Sequence, residues 1–218
     1  MLQLTDIKLP LDHGDDDLVA AILRRLGIRA DQLRHYHIHR RGVDARRRGA
    51  IAFIYTLHVE IDDEPGVLEG LADDRRVKPA PDVRYRFVAE APRDLPVRPV
   101  VIGIGPCGIF AGLLLAQMGF RPILLERGKS VRERTQDTFG FWKNGQLDPE
   151  SNVQFGEGGA GTFSDGKLHT QIKDPQHHGR KVLEEFVKAG APPEILYLSK
   201  PHIGTFRLIG VVERLRAT

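Results

Sequence analysis

One stretch constrains the fold of this chain more than any other: Pro99 to Gly128, which reads PVVIGIGPCGIFAGLLLAQMGFRPILLERG. The short apolar run Val100-Val101-Ile102 predicts a buried parallel strand. Apolar residues from Ile109 to Met118 predict a buried helix, and Ile123 to Leu125 predict a second buried strand. The stretch therefore predicts a strand–helix–strand unit with a glycine-rich turn between its first strand and its helix.

That turn, Gly103-Ile104-Gly105-Pro106-Cys107-Gly108, has the spacing of a dinucleotide-binding fingerprint. Its first glycine permits a tight turn, its second lets the backbone approach a pyrophosphate, and its third allows helix and strand to pack closely. The helix begins there, so its free N–H groups and dipole point at the phosphates. Glu126 ends the second strand, about 20 residues further on, where a carboxylate binds the adenosine ribose hydroxyls and repels a 2′-phosphate. The pattern indicates FAD or NAD, since both use this unit.

A second glycine-rich loop, Gly156 to Gly166, favours FAD over NAD. Such a backbone can lie flat against a planar or phosphorylated ligand and donate N–H groups to it. Two-dinucleotide flavoprotein folds often have a loop of this kind, whereas simple NAD domains do not require one. The candidate cofactor-binding residues are Gly103, Ile104, Gly105, Pro106, Cys107, Gly108, Glu126, Arg127, Gly158, Gly159, Gly161 and Thr162.

Two motifs, GIGPCGIFAGLLLAQMGFRPILLERG and NVQFGEGGAGTFSDGKL, resemble those of a bacterial family described as uncharacterised FAD-dependent dehydrogenases. The later stretch AGAPPEILYLSKPHIGT is similar too, as is VDARRR before a β-rich run, so the resemblance covers about residues 40 to 212. It implies FAD bound at the fingerprint and at Glu126, with the second glycine loop near the flavin or pyrophosphate. It implies no known substrate.

The resemblance also implies that the turn Pro201 to Thr205 lies near the active site, which makes His202 a catalytic candidate beside Lys167 and Asp165. A nicotinamide nucleotide, NADH or NADPH, is a possible electron donor. The chain departs from the family in two ways. Phe206 stands where the family tends to have an acidic residue, and family members are much longer. We therefore expect an N-terminal portion of a flavoprotein, with unpaired sheet edges and exposed apolar surface near the C-terminus.

The first 92 residues have a different pattern, which predicts a ferredoxin-like βαββαβ domain. Strands are expected at residues 2–9, 33–41, 51–61 and 83–88, and helices at 15–26 and 68–74. Residues 93–98 are expected to form a proline-containing linker, and residues 99–218 an incomplete Rossmann-type domain.

Two features of the N-terminal domain allow other functions. His35, His37 and His39 share one strand face and could bind zinc, although a solvated polar face is the preferred interpretation. Arg46 to Arg48 lie in a basic turn ahead of Phe53 and Tyr55, which faintly resembles an RNA-binding pattern. A module that binds RNA or a protein partner, and an NAD-binding protein without flavin, are therefore the alternatives to an FAD-dependent oxidoreductase.

Composition adds few constraints. The net charge of +3 does not by itself indicate nucleic acid. Cys107 is the single cysteine, so no internal disulfide is possible, and a cytoplasmic location is expected. Early aspartates break any signal peptide, and the apolar run from Ile109 to Phe120 is too short to span a bilayer.

Overall fold

The computed structural model describes residues 1–47, 49–168, 170 and 172–218. It divides into two compact units. One comprises Met1–Val83 with Leu196–Ser199, and the other comprises Arg84–Ile195 with Lys200–Thr218. Residues 84–92, assigned from the sequence to the first domain, thus belong to the second unit.

In the part of it that the structure describes, the first unit is a four-stranded antiparallel sheet with two α-helices. The strands occur in the order β2-β3-β1-β4, and every neighbouring pair is antiparallel. A short 3₁₀ turn, Ala30–Gln32, precedes β2. The elements are β1 (Leu2–Pro10), α1 (Asp15–Leu26), β2 (Leu33–Asp44), β3 (Ala52–Ile61), α2 (Glu64–Gly70) and β4 (Val77–Pro79).

A bulge in β1 explains how the strand presents four apolar residues to one core. Leu2 and Leu4 alternate, but the register against β3 shifts between Leu4 and Ile7, and Asp6 adopts a left-handed conformation there. The extra residue returns Ile7 and Leu9 to the same face. All four side chains are buried with apolar residues of α1 and β3.

The last strand of this sheet is not where the sequence placed it. Val83 to Val88 was expected to be a strand, yet β4 is Val77–Pro79 and residues 83–88 form no strand. The alternation of Tyr85 and Phe87 has another cause, because both rings contact the Lys181 ammonium, at 5.5 and 5.1 Å.

The outer edge of β2 pairs with a distant segment. The Arg41 amide donates to the Tyr197 carbonyl over 2.7 Å, and the Ser199 amide donates to the Arg41 carbonyl over 3.0 Å. The Arg41 guanidinium also lies over the rings of Phe53 and Tyr197. Residues 196–199 therefore complete this unit from far along the chain.

Within its described residues, the second unit contains a two-stranded parallel sheet and four α-helices. Val100 pairs with Ile123 and Ile102 with Leu125. Short 3₁₀ turns occupy Ala160–Phe163 and Pro193–Leu196. The elements are β5 (Val100–Ile102), α3 (Pro106–Gln117), β6 (Ile123–Leu125), α4 (Val131–Asn144), α5 (His178–Lys188) and α6 (Thr205–Ala217).

The expectation of two fully buried strands is wrong for one face of this sheet. Ile102 is 85% exposed, and Val100, Ile123 and Leu125 on the same face are also exposed. The opposite face packs on α3, where Gly112 lies against Leu124. An apolar face is thus left uncovered on β5 and β6.

The C-terminal helix also differs from expectation, because most of its apolar surface is buried. Leu208, Ile209, Val211, Val212 and Leu215 of α6 pack in a core with residues of α3 and α4, although Phe206 is exposed. Among the helices that the structure describes, none combines the length and apolarity needed to cross a membrane.

Candidate dinucleotide-binding site

The first glycine loop joins β5 to α3 through a backbone that tolerates no side chain at Gly108. A Cβ at Gly108 would overlap the carbonyl oxygen of Gly103, and it would lie 3.5 Å from Val101 on β5. Gly103 itself has a positive φ of 88°. The loop therefore requires glycine at two positions. Gly103 needs it for its backbone conformation, and Gly108 needs it because the main chain of Gly103 lies too close for a side chain.

Gly105 is different, because the protein itself does not require a glycine there. It is the N-cap of α3 with φ −74°, and a Cβ would lie 4.0 Å from the Gly159 Cα. Both values are ordinary for an L-residue. A need for glycine at this position would therefore come from a ligand.

Glu126 follows β6 and reaches back to the first loop. One carboxylate oxygen accepts the Ile104 amide over 2.6 Å, and the other accepts the Gly128 amide over 2.9 Å. A carboxylate has about four acceptor positions. Two backbone bonds thus fix its orientation and leave capacity for further donors.

The second glycine loop lies directly against the first. The Gly158 amide donates to the Ile104 carbonyl over 2.7 Å. A Cβ on Gly159 would lie 2.8 Å from Pro106 Cδ and 3.3 Å from the Gly105 Cα. Gly158 and Gly159 both have positive φ, of 85° and 67°. The structure therefore brings together the two loops that the sequence singled out separately.

Arg134 of α4 holds the second loop in place, and sequence reasoning missed it. Its side chain is fully buried, although the many charged residues from Lys129 to Asp137 are typical of a surface helix. Its guanidinium donates to the carbonyls of Asn152, Val153, Gly156 and Glu157, and it lies over the Phe163 ring. Val131, Arg134 and Thr138 are buried at helical spacing, a pattern that the structure shows and the residue types alone do not.

The charge of Arg134 is balanced locally. Burial lowers the pKa of its guanidinium, while Glu126 and Glu157 raise it, and arginine stays protonated in such sites. Glu157 is itself buried, and one of its carboxylate oxygens accepts the Val131 amide over 2.7 Å and Arg216 over 2.8 Å. A side chain of α4 therefore binds the main chain of the second loop, and a side chain of that loop binds the main chain of α4.

The beginning of α3 has no side-chain cap among the described residues, although the Glu126 carboxylate accepts the Ile104 amide just before the N-cap. No side chain caps it, its first turn contains no acidic residue, and Pro106 stands at N1. Cys107 is a free, exposed thiol in that turn. Arg127, also a candidate, pairs instead with Glu150 over 2.9 Å and lies over the Phe155 ring. The uncapped amides and the dipole at this helix end suit a phosphate.

The three catalytic candidates are brought together by a short antiparallel bridge. Lys167 pairs with His202 across it, and Lys167 and Asp165 form a salt bridge of 2.6 Å. The pKa of Asp165 is lowered by Lys167, and that of Lys167 is raised by Asp165. Neither group therefore has a pKa moved towards neutrality, as a general acid or base requires.

A cavity of about 190 Å³ adjoins both loops. Thr162, a cofactor-binding candidate, lines it, and its buried hydroxyl has no hydrogen-bond partner among the described residues. Gly161, the remaining candidate, also lines it. The cavity is bounded by Pro106, Ile109, Phe110, Gly158, Gly161, Thr162, Ser164, Gly166, Lys167, Leu168, Phe186, Leu208, Val212 and Leu215.

Aromatic residues around Trp142 form a cluster in the same unit. Phe139 stacks on Phe206 with 6.1 Å between ring centroids, and it meets Trp142 and Phe163 edge-on. Phe206, the position that departs from the family, is 79% exposed. Its ring therefore contributes to an exposed aromatic surface.

The features that favoured other functions lie in the first unit. His39 stacks on His58 at 4.2 Å, and the structure shows no group of three or more metal-binding side chains among the residues it describes. Tyr55 is buried and Phe53 packs against the core. Arg46 pairs with Asp44, and Arg48 lies outside the described residues.

Comparisons with known proteins add two findings. Residues 1–60 match the model of a family described as "Domain of unknown function (DUF8436)". An "Uncharacterized protein" of Clostridium beijerinckii (strain ATCC 51743 / NCIMB 8052) is 41% identical over 221 residues, which covers 99% of this chain. The chain spans 40% of the length of that relative.

Proposed function

We propose that this chain is the cofactor-binding part of an FAD-dependent oxidoreductase. The observation that carries the proposal is the pair of glycine loops joined at Gly158 and Ile104, with Glu126 bound to the same Ile104. A strand–loop–helix with an acid at the end of the next parallel strand is the arrangement that binds a dinucleotide. The proposal includes membership of the FAD-dependent dehydrogenase family named above and a cytoplasmic location.

The residues present fit FAD. The amides that begin α3 would hold the pyrophosphate, since no side chain among the described residues caps that helix end. Glu126, already oriented by two amides, would accept the ribose hydroxyls. Gly105 would allow the close approach, because nothing within the protein requires a glycine there. When bound, FAD supplies hydride transfer, and the protein supplies binding and orientation.

The fold is part of the same proposal. The strand order β2-β3-β1-β4, with every pair antiparallel, supports a ferredoxin-like first unit. The parallel pair β5–β6 with α3 supports a Rossmann-type second unit. No observation favours RNA binding over this assignment, since Tyr55, one of the two aromatics that it needs, is buried.

The parallel sheet requires additional polypeptide. Parallel sheets are normally covered on both faces, whereas β5 and β6 leave one apolar face exposed. The relative from Clostridium beijerinckii extends well beyond the part that this chain matches. We therefore assign the covering of this face, and further strands, to the portion of a longer protein that corresponds to the rest of that relative.

The test is retention of flavin by the purified chain. After excess FAD is added and free ligand is removed, the visible spectrum should show bound flavin. Glu126→Ala and Gly105→Val should abolish it, and Gly140→Ala is the matched control, since a methyl group at Gly140 in α4 meets nothing within 4 Å. NAD binding by a colourless protein would favour the alternative without flavin.

A colourless chain calls for a second measurement. The same assay is repeated on a chain extended by the remainder of the Clostridium beijerinckii relative. Flavin retained only by the extended chain supports the proposal and assigns part of the site to the extension. Absence of flavin in both chains overturns it.

A further inference from the structure

Both main-chain donors that orient Glu126 are in contact with the second glycine loop. The Ile104 amide donates to one carboxylate oxygen, and the Ile104 carbonyl accepts the Gly158 amide over 2.7 Å. The Gly128 amide donates to the other oxygen, and a Cβ on Gly128 would overlap the main chain of Gly156. The direction of the Glu126 carboxylate therefore depends on where the second loop lies.

Arg134 binds the second loop at these same two points. Its guanidinium donates to the Gly156 carbonyl over 3.4 Å and to the Glu157 carbonyl over 2.7 Å. The Glu157 carbonyl and the Gly158 amide belong to one peptide group. Because a peptide group is planar and its C=O and N–H point in opposite directions, a donor that fixes the carbonyl also fixes the amide. A hydrogen bond of Arg134 thus sets the direction in which Gly158 donates to Ile104.

The charges of Arg134 and Glu126 attract each other without competing for the same hydrogen bonds. Glu126 raises the pKa of the Arg134 guanidinium, which burial lowers. The hydrogen bonds that the structure describes for Arg134 all go to main-chain carbonyls of the loop. The acceptor positions of Glu126 that its two amides leave free therefore stay available to a ligand.

We infer that Arg134 is a positioning residue for nucleotide binding: through the second glycine loop it holds Glu126 in the orientation that accepts the two ribose hydroxyls of an adenosine diphosphate moiety. Arg134 is fully buried, so it acts through the loop and not by contact with the ligand. The inference rests on the proposed function, which assigns Glu126 to the ribose. It adds that recognition of the ribose depends on a buried side chain of α4 outside the fingerprint.

The test compares ADP with 2′,3′-dideoxy-ADP, which differ only by the two ribose hydroxyls. Each is titrated calorimetrically into the chain, or into the extended chain of the flavin test if only that one retains FAD. ADP should bind at least about tenfold more tightly, because hydrogen bonds to a charged carboxylate are strong. Arg134→Lys should reduce this ratio to less than about threefold, since a displaced acceptor no longer meets both hydroxyls. An unchanged ratio in Arg134→Lys overturns the inference.

The ratio of the two affinities separates positioning from stability. A variant that is partly unfolded binds both nucleotides more weakly by the same factor, so a merely structural role leaves the ratio unchanged. Arg132→Lys, at the exposed pair with Glu213, is the matched control on α4 and should keep the wild-type ratio. Glu126→Ala should bring the ratio to about one, because it removes the carboxylate. A ratio that persists in Glu126→Ala would assign the hydroxyls to another group and overturn the inference.

A measurement on the unsubstituted protein decides the question if Arg134→Lys does not fold. The amide NMR signals of Ile104, Gly128 and Gly158 are compared between the complexes with the two nucleotides. All three should differ, because the hydroxyls act on Glu126 and the effect passes to the second loop. The amide of Gly140, in α4 and away from these contacts, should not differ. Differences that stop at Ile104 and do not reach Gly158 overturn the inference.

Failure of the proposed function gives a different result. If neither chain retains FAD or binds ADP, the proposed function falls and this inference falls with it. If FAD is retained and Arg134→Lys keeps the wild-type ratio, only the inference falls.

Discussion

Arg134 and Glu157 are linked twice, once by a direct hydrogen bond and once through the start of helix α4. The Arg134 guanidinium donates to the Glu157 carbonyl over 2.7 Å, while the Glu157 carboxylate accepts the amide of Val131, at the start of the helix that carries Arg134. Both residues are almost completely buried. The second glycine loop therefore has one fixed position relative to α4.

We predict that Arg134→Lys destabilises the chain almost as much as Arg134→Met. A lysine ammonium cannot reach several carbonyls arranged around a planar fork, so both variants leave buried acceptors without donors. Each should lower the free energy of unfolding by about 2–4 kcal/mol, measured by urea denaturation. Arg132→Lys, at an exposed pair with Glu213, is the control and should cost less than about 1 kcal/mol. A small effect of Arg134→Lys would contradict this role.

Three glycines should respond differently to alanine. Gly108→Ala forces a methyl group onto the Gly103 carbonyl and should cost about 3 kcal/mol or prevent folding. Gly105→Ala should leave stability nearly unchanged and weaken FAD binding. Gly140→Ala, in the middle of α4, should stabilise by about 0.5–1 kcal/mol. Thermal unfolding and flavin retention measure both properties, and equal losses of stability at Gly105 and Gly108 would argue against the ligand-based role of Gly105.

Glu185 should stabilise the chain in a pH-dependent manner. Burial acts to raise the pKa of its carboxyl, but the ammonium groups of Lys181 and Lys188 outweigh burial and hold the pKa below its usual value. The stabilisation is therefore fully present above the unfolded pKa, about 4.3, and is lost as pH falls through the lower folded pKa. Glu185→Gln should cost about 2–3 kcal/mol near neutral pH, because Lys181 stays largely buried.

Urea unfolding of both proteins from about pH 6 to about pH 3 measures this effect, and the difference between them should shrink on acidification. Glu184→Gln is the matched control, since its carboxylate pairs with Arg180 at a more exposed position. That variant should cost less than about 1 kcal/mol. A difference for Glu185→Gln that is constant with pH would rule out the ionised carboxylate as its source.

Ile102→Lys should affect stability little in this chain and strongly in an extended one. Its side chain is 85% exposed in this chain, so the substitution should change the free energy of unfolding by less than about 0.5 kcal/mol and reduce self-association. In a chain extended by the remainder of the Clostridium beijerinckii relative, the same lysine should cost more than about 2 kcal/mol, because the face would be covered. Similar small effects in both chains would show that the extension does not cover β5.

Local patterns predicted much of the secondary structure. The alternation from Phe53 to Ile61 corresponds to β3, and the aspartates before Leu18 correspond to the beginning of α1. The strand–helix–strand around Gly103 was expected from its glycines and occurs as β5, α3 and β6. These elements depend on periodicity and turn chemistry, which short stretches of sequence contain.

Contacts between distant residues could not be predicted in the same way. Tyr85 and Phe87 alternate as in a strand, but their rings contact Lys181, nearly a hundred positions away. Arg134 lies in the charged segment Arg132-Glu133-Arg134, and only tertiary packing makes one of its two arginines buried. The hydrogen bond from Gly158 to Ile104 likewise depends on where α4 places the second glycine loop relative to the first. The roles of the fingerprint residues remain predictions from sequence.

Because Arg41 pairs with Tyr197 and Ser199, the edge of β2 stays unpaired during synthesis until residues 197–199 have been made. Arg41 and Ser199 are separated by 158 positions. At about 5–20 residues per second, a ribosome needs roughly 8–30 s to supply the partner of β2. During that interval the nascent N-terminal sheet has an open edge, at which strands of neighbouring nascent chains can add. Translation speed therefore sets how long this protein is exposed to misassembly.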